Sequence, residues 1–401
     1  MGKQLVTFNA GSSTVKIGVF AYDEQQIRKV SRGVIDLNET PLNFRLHGET
    51  ENLDIALSAV GTDDIATILE ELFAKLAEHV DPTQIQAVGH RVVFGGDQFA
   101  KPVLIDDEHI EAINRLSVFA PLHQPKSIAL IKAIRKLFPH LMQTASFDTA
   151  FHQTIPDTVR RFALPRDLHE RGIKRYGFHG LSYKSIIGNF SQWESQLANG
   201  KVVAAHLGSG ASLCAIADGK SVDTSMSFST LDGIPMATRC GAVDPGVLMH
   251  LIQQEAMQAD LLSDMLYHRS GLLGISGQSG DTRDLLASDT MQAREALEIF
   301  ALRIAGEICR LASTLGGIDA LIFTAGIGEY QPEIRAAVCQ RLAWLGIEID
   351  AAANSDNAFR ITNKASRTAA FMLPTDEEQV IASETLEVIQ NIAAAAVNVT
   401  A

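Results

Sequence analysis

A strand–turn–strand pattern near the start of the chain places the strongest constraint on the fold. Residues 5–8 are apolar, apolar residues recur at every second position over 15–19, and Gly11 lies between the two segments. Alternation with a period of two predicts a β-strand, and glycine permits the positive φ of a tight turn. The hydroxyl and backbone N–H groups of such a turn can face an anion, to which Lys16 adds positive charge. The pattern therefore indicates either a phosphate-binding hairpin or an ordinary β-hairpin.

The same pattern returns about half-way along the chain, where His206 lies 197 residues after Asn9. Residues 202–217 again combine an apolar strand, a Gly-Ser turn and a second strand. A repeat at this distance predicts two similar domains, each with a phosphate hairpin directed at a shared cleft. Chance is the alternative, because Gly-Ser hairpins are common. A third glycine-rich segment, 325–330, is predicted as a loop after a strand, and three such turns favour binding of nucleotide phosphates.

The composition narrows the classes of partner. The formal net charge is −13 over 401 residues, which disfavours nucleic acid and anionic membranes because both require a basic face. No apolar run has the length of a membrane span or the character of a secretory signal. The four cysteines show no Cys-x-x-Cys spacing, which fits a reducing compartment without structural zinc. We predict a cytoplasmic protein, in which any anionic substrate requires local Lys and Arg.

Apolar residues recur with both strand and helix periods along the rest of the chain, which predicts an α/β fold. Arg91 lies near the end of a predicted strand over 85–93, and Asp148 follows another short strand. Strand ends followed by glycine are where α/β proteins bind ligands. Ser182 is predicted to cap a helix and Gly316 to end one. Helices are predicted over residues 62–76, 109–116, 127–138 and 291–315, from Pro332, and from residues 374–378.

Four side chains beside these segments can act on an anionic substrate. Arg91 and Arg239 can clamp a carboxylate or phosphate through paired hydrogen bonds, or each can form a structural salt bridge. Asp148 can be a base, a group near a metal ion or a helix cap. His179 can act on the substrate or have a structural role.

Oxygen ligands for Mg²⁺ are available from Asn9 and from an acidic group such as Glu377. With the glycine turns, these groups suit phosphoryl transfer, which requires positive charge around the equatorial phosphate oxygens.

Nine short motifs in order resemble those of the acetate kinase family over essentially the whole chain. This family belongs to a superfamily with actin, sugar kinases and heat-shock ATPases. The resemblance implies an α/β fold of two duplicated actin-like, ribonuclease H-like ATPase domains with a nucleotide cleft between them. It places the first domain at residues 1–150 plus about 380–401 and the second at residues 151–379. The motifs are Asn9-Ala-Gly-Ser-Ser, Gly89-His-Arg-Val-Val, Ala120-Pro-Leu-His, Ser146-Phe-Asp-Thr-Ala-Phe-His, Arg175-Tyr-Gly-Phe-His-Gly, His206-Leu-Gly, Thr238-Arg, Ser270-Gly-Leu-Leu-Gly-Ile-Ser-Gly and Phe323-Thr-Ala-Gly-Ile-Gly-Glu.

The resemblance implies direct, reversible in-line transfer of the ATP γ-phosphoryl group to acetate, which gives acetyl phosphate and ADP. The implied cofactor is Mg²⁺, with Mn²⁺ as an alternative. Propionate or another short carboxylate is an alternative acceptor. A sugar kinase and a non-catalytic nucleotide-binding protein are the alternative classes. The resemblance also implies a cytoplasmic homodimer with no nucleic-acid or membrane partner.

The resemblance also implies which residues of this chain carry these functions. The implied magnesium ligands are Asn9 and Glu377, and the implied catalytic residues are Asp148, His179 and Arg239. The implied acetate-binding residues are Arg91 and, around the methyl group, Val93, Leu122 and Phe178. The implied nucleotide contacts are Thr14, Lys16, His206, Leu207, Gly208, Ser209, Gly210, Asp281, Thr282, Arg283, Gly326, Ile327, Gly328, Glu329 and Tyr330.

Some residues within these motifs depart from the family pattern. Phe94 and Tyr183 stand where the family usually has histidine, Ser209 and Tyr330 where it usually has asparagine, and Thr230 where it usually has proline. None of them is an implied catalytic residue. Thr230 bears on the shape of the methyl pocket, and Ser209 and Tyr330 bear on the choice of nucleotide.

Overall fold

The computed structural model describes residues 3–11, 14–23, 26–37, 39–48, 52–61, 63–76, 82–121 and 123–400. The chain divides into two compact units. Unit 1 comprises Met1–Ala150 and Asp376–Ala401, and unit 2 comprises Phe151–Thr375. In the described part of the chain, no helix combines the length and apolar character needed to cross a bilayer.

Each unit contains one β-sheet. The sheet of unit 1 has the order β5-β4-β3-β2-β1-β6-β8-β7, and that of unit 2 has the order β11-β10-β9-β12-β13. The strands are β1 (Lys3–Ala10), β2 (Thr14–Tyr22), β3 (Ile27–Asp36), β4 (Asn43–Gly48), β5 (Asn52–Ala56), β6 (Ile85–Val92), β7 (Val103–Leu104), β8 (Met142–Phe147), β9 (Lys201–Leu207), β10 (Ala211–Ala217), β11 (Lys220–Thr224), β12 (Ala320–Thr324) and β13 (Ala369–Met372).

Helices connect and cover these strands. Those within the described residues are α1 (Ile65–Leu76), α2 (Asp107–Arg115), α3 (Gln124–Leu137), α4 (Asp157–Arg160), α5 (Arg166–Glu170), α6 (Gly180–Trp193), α7 (Ser195–Ala198), α8 (Pro245–Gln253), α9 (Ala259–His268), α10 (Gly271–Ser276), α11 (Thr282–Ala287), α12 (Met291–Leu315), α13 (Ala325–Tyr330), α14 (Pro332–Arg341), α15 (Ala351–Ser355) and α16 (Glu377–Thr400). Short 3₁₀ helices span Pro82–Gln84, Leu116–Phe119, Asp148–Thr154 and Ala343–Leu345. The helices predicted from the sequence are confirmed as α1, α2, α3, α12, α14 and α16, although Thr62 lies outside the described residues. As predicted, α12 ends at Gly316, which has a left-handed φ of 66°.

Five strands have the same arrangement in both sheets. In unit 1, β1 pairs antiparallel with β2 and parallel with β6, while β2 continues antiparallel to β3 and β6 parallel to β8. In unit 2, β9, β10, β11, β12 and β13 take the places of β1, β2, β3, β6 and β8 with the same directions. The duplication inferred from the two Gly-Ser hairpins is therefore confirmed, and it extends to three further strands in each unit.

Both faces of the unit 1 sheet are covered, which explains the apolar run at the start of β1. Leu5 packs with Phe20 and with Ala382 of α16. The next residue, Val6, belongs to a second cluster, which contains the apolar stripe of α1. Successive side chains of a strand point to opposite faces, so adjacent apolar residues mark a strand that is buried on both sides.

Helix α16 approaches β6 closely at Gly89. A Cβ atom at this position would lie 2.2 Å from Thr385 Oγ1 and 2.7 Å from Ile381 Cγ2. Thr385 Oγ1 also lies 2.7 Å from Thr144 Oγ1 of β8, so the helix contacts two neighbouring strands. Glycine at position 89 therefore sets the distance at which α16 packs on the sheet.

We expect Gly89→Ala to lower the free energy of unfolding by about 1–3 kcal/mol, because the added methyl group must displace α16 or strain β6. Gly306→Ala on α12 is the matched control, since among the described residues no atom outside its own helix backbone lies within 4 Å of the added Cβ. Alanine is the better helix former by about 1 kcal/mol, so this control should be neutral or stabilising. Urea denaturation measures both variants. Wild-type stability of Gly89→Ala would contradict the close packing of α16.

The predicted cap at Ser182 is wrong. Helix α6 begins two residues earlier, at Gly180, and His179 occupies the N-cap position with a left-handed φ of 56°. The Ser182 hydroxyl instead hydrogen-bonds to Nδ1 of His206 at 2.8 Å.

The predicted loop over 325–330 is also wrong, because these residues form helix α13 directly after β12. The Glu329 carboxylate accepts a hydrogen bond from the backbone N–H of Ala325 at 2.9 Å. This bond satisfies an N–H group of the first turn, which has no partner within the helix.

Candidate active site

Three polar side chains of unit 1 lie at the same edge of its sheet. β1, β6 and β8 are parallel, and their register pairs Phe8 with His90 and Arg91 with Ser146. Asn9 near the end of β1, Arg91 near the end of β6 and Asp148 just after β8 are therefore brought together. The carboxyl ends of parallel strands are the usual ligand-binding edge of an α/β sheet.

Arg91 joins the other two side chains. Its Nη2 donates to Asp148 Oδ2 at 2.6 Å, and its Nε lies 3.1 Å from both carboxylate oxygens of Asp148. Its Nη1 donates to Asn9 Oδ1 at 2.9 Å. Asn9 Nδ2 in turn donates to Glu377 Oε2 and Glu378 Oε1, each at 2.8 Å. The structure thus brings together the predicted residues Asn9, Arg91, Asp148 and Glu377, which with Glu378 we call the Asn9 cluster.

Electrostatics keep the guanidinium of the Asn9 cluster charged. Burial alone lowers the pKa of Arg91, but the charges of Asp148 and Glu377 raise it by more, so the net shift of its pKa is upward. Asp148 is fully buried, and Glu377 and Glu378 are buried as well. A charged guanidinium held on one side by a carboxylate is fixed in orientation and suited to bind an anion.

The donor atoms around Asn9 fit a hard cation in type. Within the described residues, no three His, Cys, Asp or Glu side chains form a group that could hold a metal ion. An amide oxygen and one or two carboxylates, completed by water, are nevertheless the ligands that Mg²⁺ takes. Asn9, Glu377 and Glu378 carry these groups side by side, although the Asn9 amide oxygen is bonded to Arg91 and its nitrogen faces the two glutamates.

The remaining predicted residues of unit 1 lie beside this edge or outside the described residues. Thr14 begins β2, and its carbonyl accepts a hydrogen bond from the Gly11 N–H at 2.8 Å across the turn. Lys16 is exposed and pairs with Asn9 in the register of the hairpin. Val93 is buried directly after β6. Leu122 lies outside the described residues.

A strained backbone turn in unit 2 holds His179. Gly177 and His179 have φ angles of 92° and 56°, a region that side chains disfavour. A Cβ atom on Gly177 would lie 2.5 Å from the ring of His152. His152 Nε2 lies 2.9 Å from the Phe178 carbonyl oxygen, and its Nδ1 lies 2.8 Å from Ser221 Oγ. Burial lowers the pKa of His152 to about 4, so its ring is neutral near neutral pH.

His179 stacks on His206. The ring centroids are 4.2 Å apart with an interplanar angle of 14°. Each ring has a hydroxyl group at Nδ1: Ser212 Oγ lies 2.8 Å from His179 Nδ1, and Ser182 Oγ lies 2.8 Å from His206 Nδ1. The pairing of β9 with β10 places Ser212 opposite His206. Ser212, on the second strand of the Gly-Ser hairpin of unit 2, therefore helps to hold the His179 ring in place.

Arg239 approaches the same hairpin. A Cβ atom on Gly210 would lie 3.6 Å from His179 Nε2 and 3.7 Å from Arg239 Nη1. Arg239 Nη1 donates to the Thr230 carbonyl oxygen at 3.2 Å, and within the described residues no carboxylate is in ion-pair distance of this guanidinium. Burial lowers the pKa of Arg239. A cation bound to neutral groups, beside a histidine and a glycine turn, is suited to an anionic ligand.

The predicted nucleotide contacts lie in three separate segments of unit 2. Gly208, Ser209 and Gly210 form the turn between β9 and β10. Asp281 is the N-cap of α11, and its carboxylate binds the Arg283 guanidinium at 2.6 Å. The third segment is α13, where Gly326 and Tyr330 are exposed, Ile327 is half-buried and Gly328 is buried. Leu207, Thr282, Glu329 and the predicted methyl-pocket residue Phe178 are buried.

Sequence reasoning missed the residues that hold the predicted side chains in place. They are Glu378 beside Asn9, His152 behind the Phe178 carbonyl, and Ser212 with Tyr183 behind His179. Two of these residues could have been found from the sequence. Tyr183 lies four residues after His179, which places both on one face at the start of a helix, and Glu378 is adjacent to Glu377. The role of Ser212 depends on the register of a hairpin.

Residues 4–383 match the Acetokinase family. The chain belongs to the acetokinase family. The acetate kinase of Methylocella silvestris is 41% identical over 411 residues, which cover 98% of this chain and 100% of that protein. A propionate kinase from Francisella tularensis subsp. tularensis has a crystal structure with a TM-score of 0.89 at 35% identity, over 96% of this chain and 100% of that one. The crystal structure of Porphyromonas gingivalis acetate kinase has a TM-score of 0.85 at 32% identity, over 97% of this chain and 100% of that one.

Membership of the acetokinase family makes the chain a phosphotransferase with ATP and ADP as substrates. The resemblance derived from the nine motifs is confirmed. The fold of two duplicated actin-like domains is confirmed too, because it is shared with acetokinase structures along nearly the whole chain.

Proposed function

We propose that the protein is a kinase for acetate, which reversibly transfers the γ-phosphoryl group of ATP to the carboxylate and forms acetyl phosphate. The observation that carries this proposal is the Arg91 guanidinium, held by the buried Asp148 at the ligand-binding edge of the sheet. Membership of the acetokinase family supports the choice of acceptor.

In this proposal unit 1 binds the acceptor. Arg91 binds the carboxylate and the incoming phosphoryl group, and Asp148 fixes the guanidinium by accepting its Nε and Nη2 protons. Val93, buried directly after β6, contacts the methyl group. The carboxylate oxygen attacks the γ-phosphorus of ATP and ADP leaves, with little covalent chemistry for the protein to perform. Positioning and charge are therefore the main contributions of these residues.

Unit 2 binds the nucleotide in the same proposal. His179 and Arg239 stabilise charge on the transferring phosphoryl oxygens. In unit 1, Thr14 and Lys16 supply a hydroxyl and a cation for phosphate oxygens. His206 to Gly210, Asp281 to Arg283 and Gly326 to Tyr330 supply the other ATP contacts. Backbone N–H groups of glycine turns are suited to phosphate oxygens because no Cβ atom blocks their approach.

We further propose that Asn9 and Glu377 hold Mg²⁺, with Glu378 as an additional carboxylate. The bound ion would neutralise phosphate charge. The oxygen donors of Asn9 and of the two glutamates support this assignment, and Mn²⁺ fits the same donors.

We expect Asn9→Asp to make stability depend on a divalent cation. The Asn9 amide donates to Glu377 and Glu378, whereas aspartate would replace these donors with a third carboxylate. In EDTA the variant should lose about 1–3 kcal/mol relative to the wild type, because two buried acceptors lose their donor. Mg²⁺ should then restore more stability than it gives the wild type.

Thermal unfolding with EDTA and with Mg²⁺ measures this response. Asn9→Ala is the control, since it removes the same donors without adding charge and should not gain a response to Mg²⁺. An Asn9→Asp variant with the magnesium response of the wild type would remove Asn9 from the proposed metal site.

The direct test of the reaction is a hydroxamate assay with acetate, ATP and Mg²⁺. Acyl hydroxamate that requires all three components would support the proposal. Failure to form an acyl phosphate from any short carboxylate would refute it, and nucleotide binding without transfer would favour a non-catalytic protein.

Propionate is the second candidate acceptor, favoured by the structural likeness to the Francisella propionate kinase. One extra methylene is worth only about 1–3 kcal/mol in an apolar pocket, so the two substrates differ by degree. kcat/KM for acetate, propionate and butyrate, measured side by side, decides between them. An optimum at propionate would overturn the choice of acetate.

We also propose a cytoplasmic homodimer. The four cysteines are unpaired, which supports a reducing compartment. Exposed apolar side chains on α8 and α9 support association of two copies: Val247, Met249, Ile252 and Leu261 are 44–57% exposed. Sedimentation equilibrium tests the assembly, and a monomer mass at all concentrations would refute it.

A further inference from the structure

A row of three hydrogen-bonding groups lies behind His179 in unit 2. His179 Nδ1 is 2.8 Å from Ser212 Oγ, and Ser212 Oγ is 2.6 Å from the Tyr183 hydroxyl oxygen. Ser212 and Tyr183 are fully buried. Within the described residues, Ser212 Oγ bonds to no side chain other than these two, and the Tyr183 hydroxyl bonds only to Ser212.

The number of protons in this row restricts which group donates and which accepts in each hydrogen bond. A serine hydroxyl and a tyrosine hydroxyl each donate one hydrogen bond, and a histidine Nδ1 either donates or accepts one. If Nδ1 donated to Ser212, either the Ser212 proton or the Tyr183 proton would have no acceptor among the described residues. A buried donor without an acceptor costs about 1–3 kcal/mol.

One arrangement leaves no buried proton unpaired. Tyr183 donates to Ser212 Oγ, Ser212 donates to His179 Nδ1, and Nδ1 accepts with its lone pair. The ring proton of His179 then resides on Nε2. Burial raises the pKa of Tyr183 well above its usual value, so the tyrosine keeps the proton that starts this row.

We propose that Tyr183 and Ser212 are positioning residues that hold His179 as a neutral imidazole with its proton on Nε2. This inference rests on the proposed function only for its consequence in catalysis: the Nε2–H group becomes a hydrogen-bond donor for a phosphoryl oxygen near the Gly210 turn. Gly210 is the relevant position because a Cβ atom there would lie 3.6 Å from His179 Nε2.

Neighbouring groups of unit 2 favour a neutral ring at His179. Arg239 lies near the same point on the side of the Gly-Ser turn, and a second cation beside it would be repelled. On the other face the ring of His206 is stacked at 4.2 Å. Tyr183 follows one turn later on α6, and Ser212 lies opposite on β10.

NMR of the full chain with ring-¹⁵N-labelled histidine tests the proposal directly. Long-range ¹H–¹⁵N correlations separate protonated from unprotonated ring nitrogens, and His179→Gln assigns the signals of His179 among the twelve histidines. At a pH well above the ordinary histidine pKa of about 6.5, we expect His179 Nδ1 unprotonated and Nε2 protonated. A proton on Nδ1 would overturn the proposal.

Ser212→Ala provides the second arm. Without the serine hydroxyl, Nδ1 loses this donor, so a large share of His179 should shift to the Nδ1–H tautomer. We expect kcat to fall about 10–100-fold, with KM for acetate and ATP changed by less than about threefold, because a donor used mainly in the transition state is lost. Tyr183→Phe should cause a smaller shift and a smaller loss, because Ser212 can still donate to Nδ1, and the double variant should lose no more than Ser212→Ala alone.

Tyr176→Phe is the matched control, since its hydroxyl donates to the Gly172 carbonyl oxygen instead. It should keep the wild-type tautomer and kcat. Unchanged His179 signals in Ser212→Ala would refute the proposal. The NMR result does not depend on turnover, so a protein without acetate kinase activity but with the expected tautomer would refute only the proposed function.

Discussion

Replacement of Arg91 by alanine should lower kcat for acyl phosphate formation by about 10³-fold or more, which is the scale of losing preorganised donors to a transition-state anion. The guanidinium of Arg91 is held by three contacts with the Asp148 carboxylate and one with Asn9 Oδ1. Arg91→Lys should lose nearly as much activity, because an ammonium keeps the charge but not the fork of donors.

Arg91→Ala should also lower the free energy of unfolding, so the activity test needs a control that is destabilised to a similar extent. Removing one partner of a buried ion pair costs about 3–5 kcal/mol. Arg310→Ala is the matched control for the loss of a buried ion pair, since Arg310 Nη1 lies 2.6 Å from the buried carboxylate of Asp223 and neither residue belongs to the Asn9 cluster. It should lower stability in urea while kcat stays within about threefold of the wild type. If Arg91→Ala kept its turnover, or lost only as much as Arg310→Ala, Arg91 would not belong to the active site.

Replacement of Arg239 by alanine should separate activity from stability. We expect kcat to fall about 10²–10³-fold, because a cation close to the developing charge is removed. The free energy of unfolding should change by less than about 1 kcal/mol, since the lost hydrogen bond to the Thr230 carbonyl is one ordinary bond. Burial lowers the pKa of Arg239, which means that the fold disfavours its charged form and does not depend on that charge for stability.

A second buried arginine of unit 2 gives the contrast. Arg335 is fully buried and donates to the carbonyl oxygens of Gly328 and Glu329 and to Asn354. Arg335→Ala should therefore destabilise strongly, by several kcal/mol, because several buried acceptors lose their donor together. Thermal unfolding and kcat measured on both variants test the distinction. A large loss of stability in Arg239→Ala would indicate a structural arginine and contradict the proposed role.

The sequence predicts well what depends on local chemistry. The hairpins around Gly11 and Gly208, the stripe of α1 and the end of α12 at Gly316 follow from periodicity and from the backbone freedom of glycine. The strand-end rule places Arg91 and Asp148 at one edge of the sheet. The roles assigned to these residues in catalysis stay predictions.

The sequence-based predictions that are wrong, or that local patterns could not make, depend on contacts between distant residues. Residues 325–330 look like a loop because they contain two glycines, yet the Glu329 carboxylate and the Arg335 guanidinium stabilise them as a helix. Serine is a residue type that often caps helices, which is why the sequence predicts a cap at Ser182. The left-handed conformation of His179 places the N-cap there instead, so α6 begins at Gly180. The bond between Asn9 and Glu377 joins residues 368 positions apart, and only the return of α16 to unit 1 brings them together. No local pattern contains that information.

The return of α16 also has a consequence for biosynthesis. Unit 2 is continuous in the chain, whereas unit 1 is completed by residues that follow unit 2. While the ribosome makes unit 2, the sheet of unit 1 has no helix over the face of Leu5 and Gly89, and Asn9 has neither glutamate beside it. Domains usually mature in the order in which they are made. Here the order is reversed: unit 1 is finished only after unit 2 has been made, and the Asn9 cluster forms only once α16 has been translated.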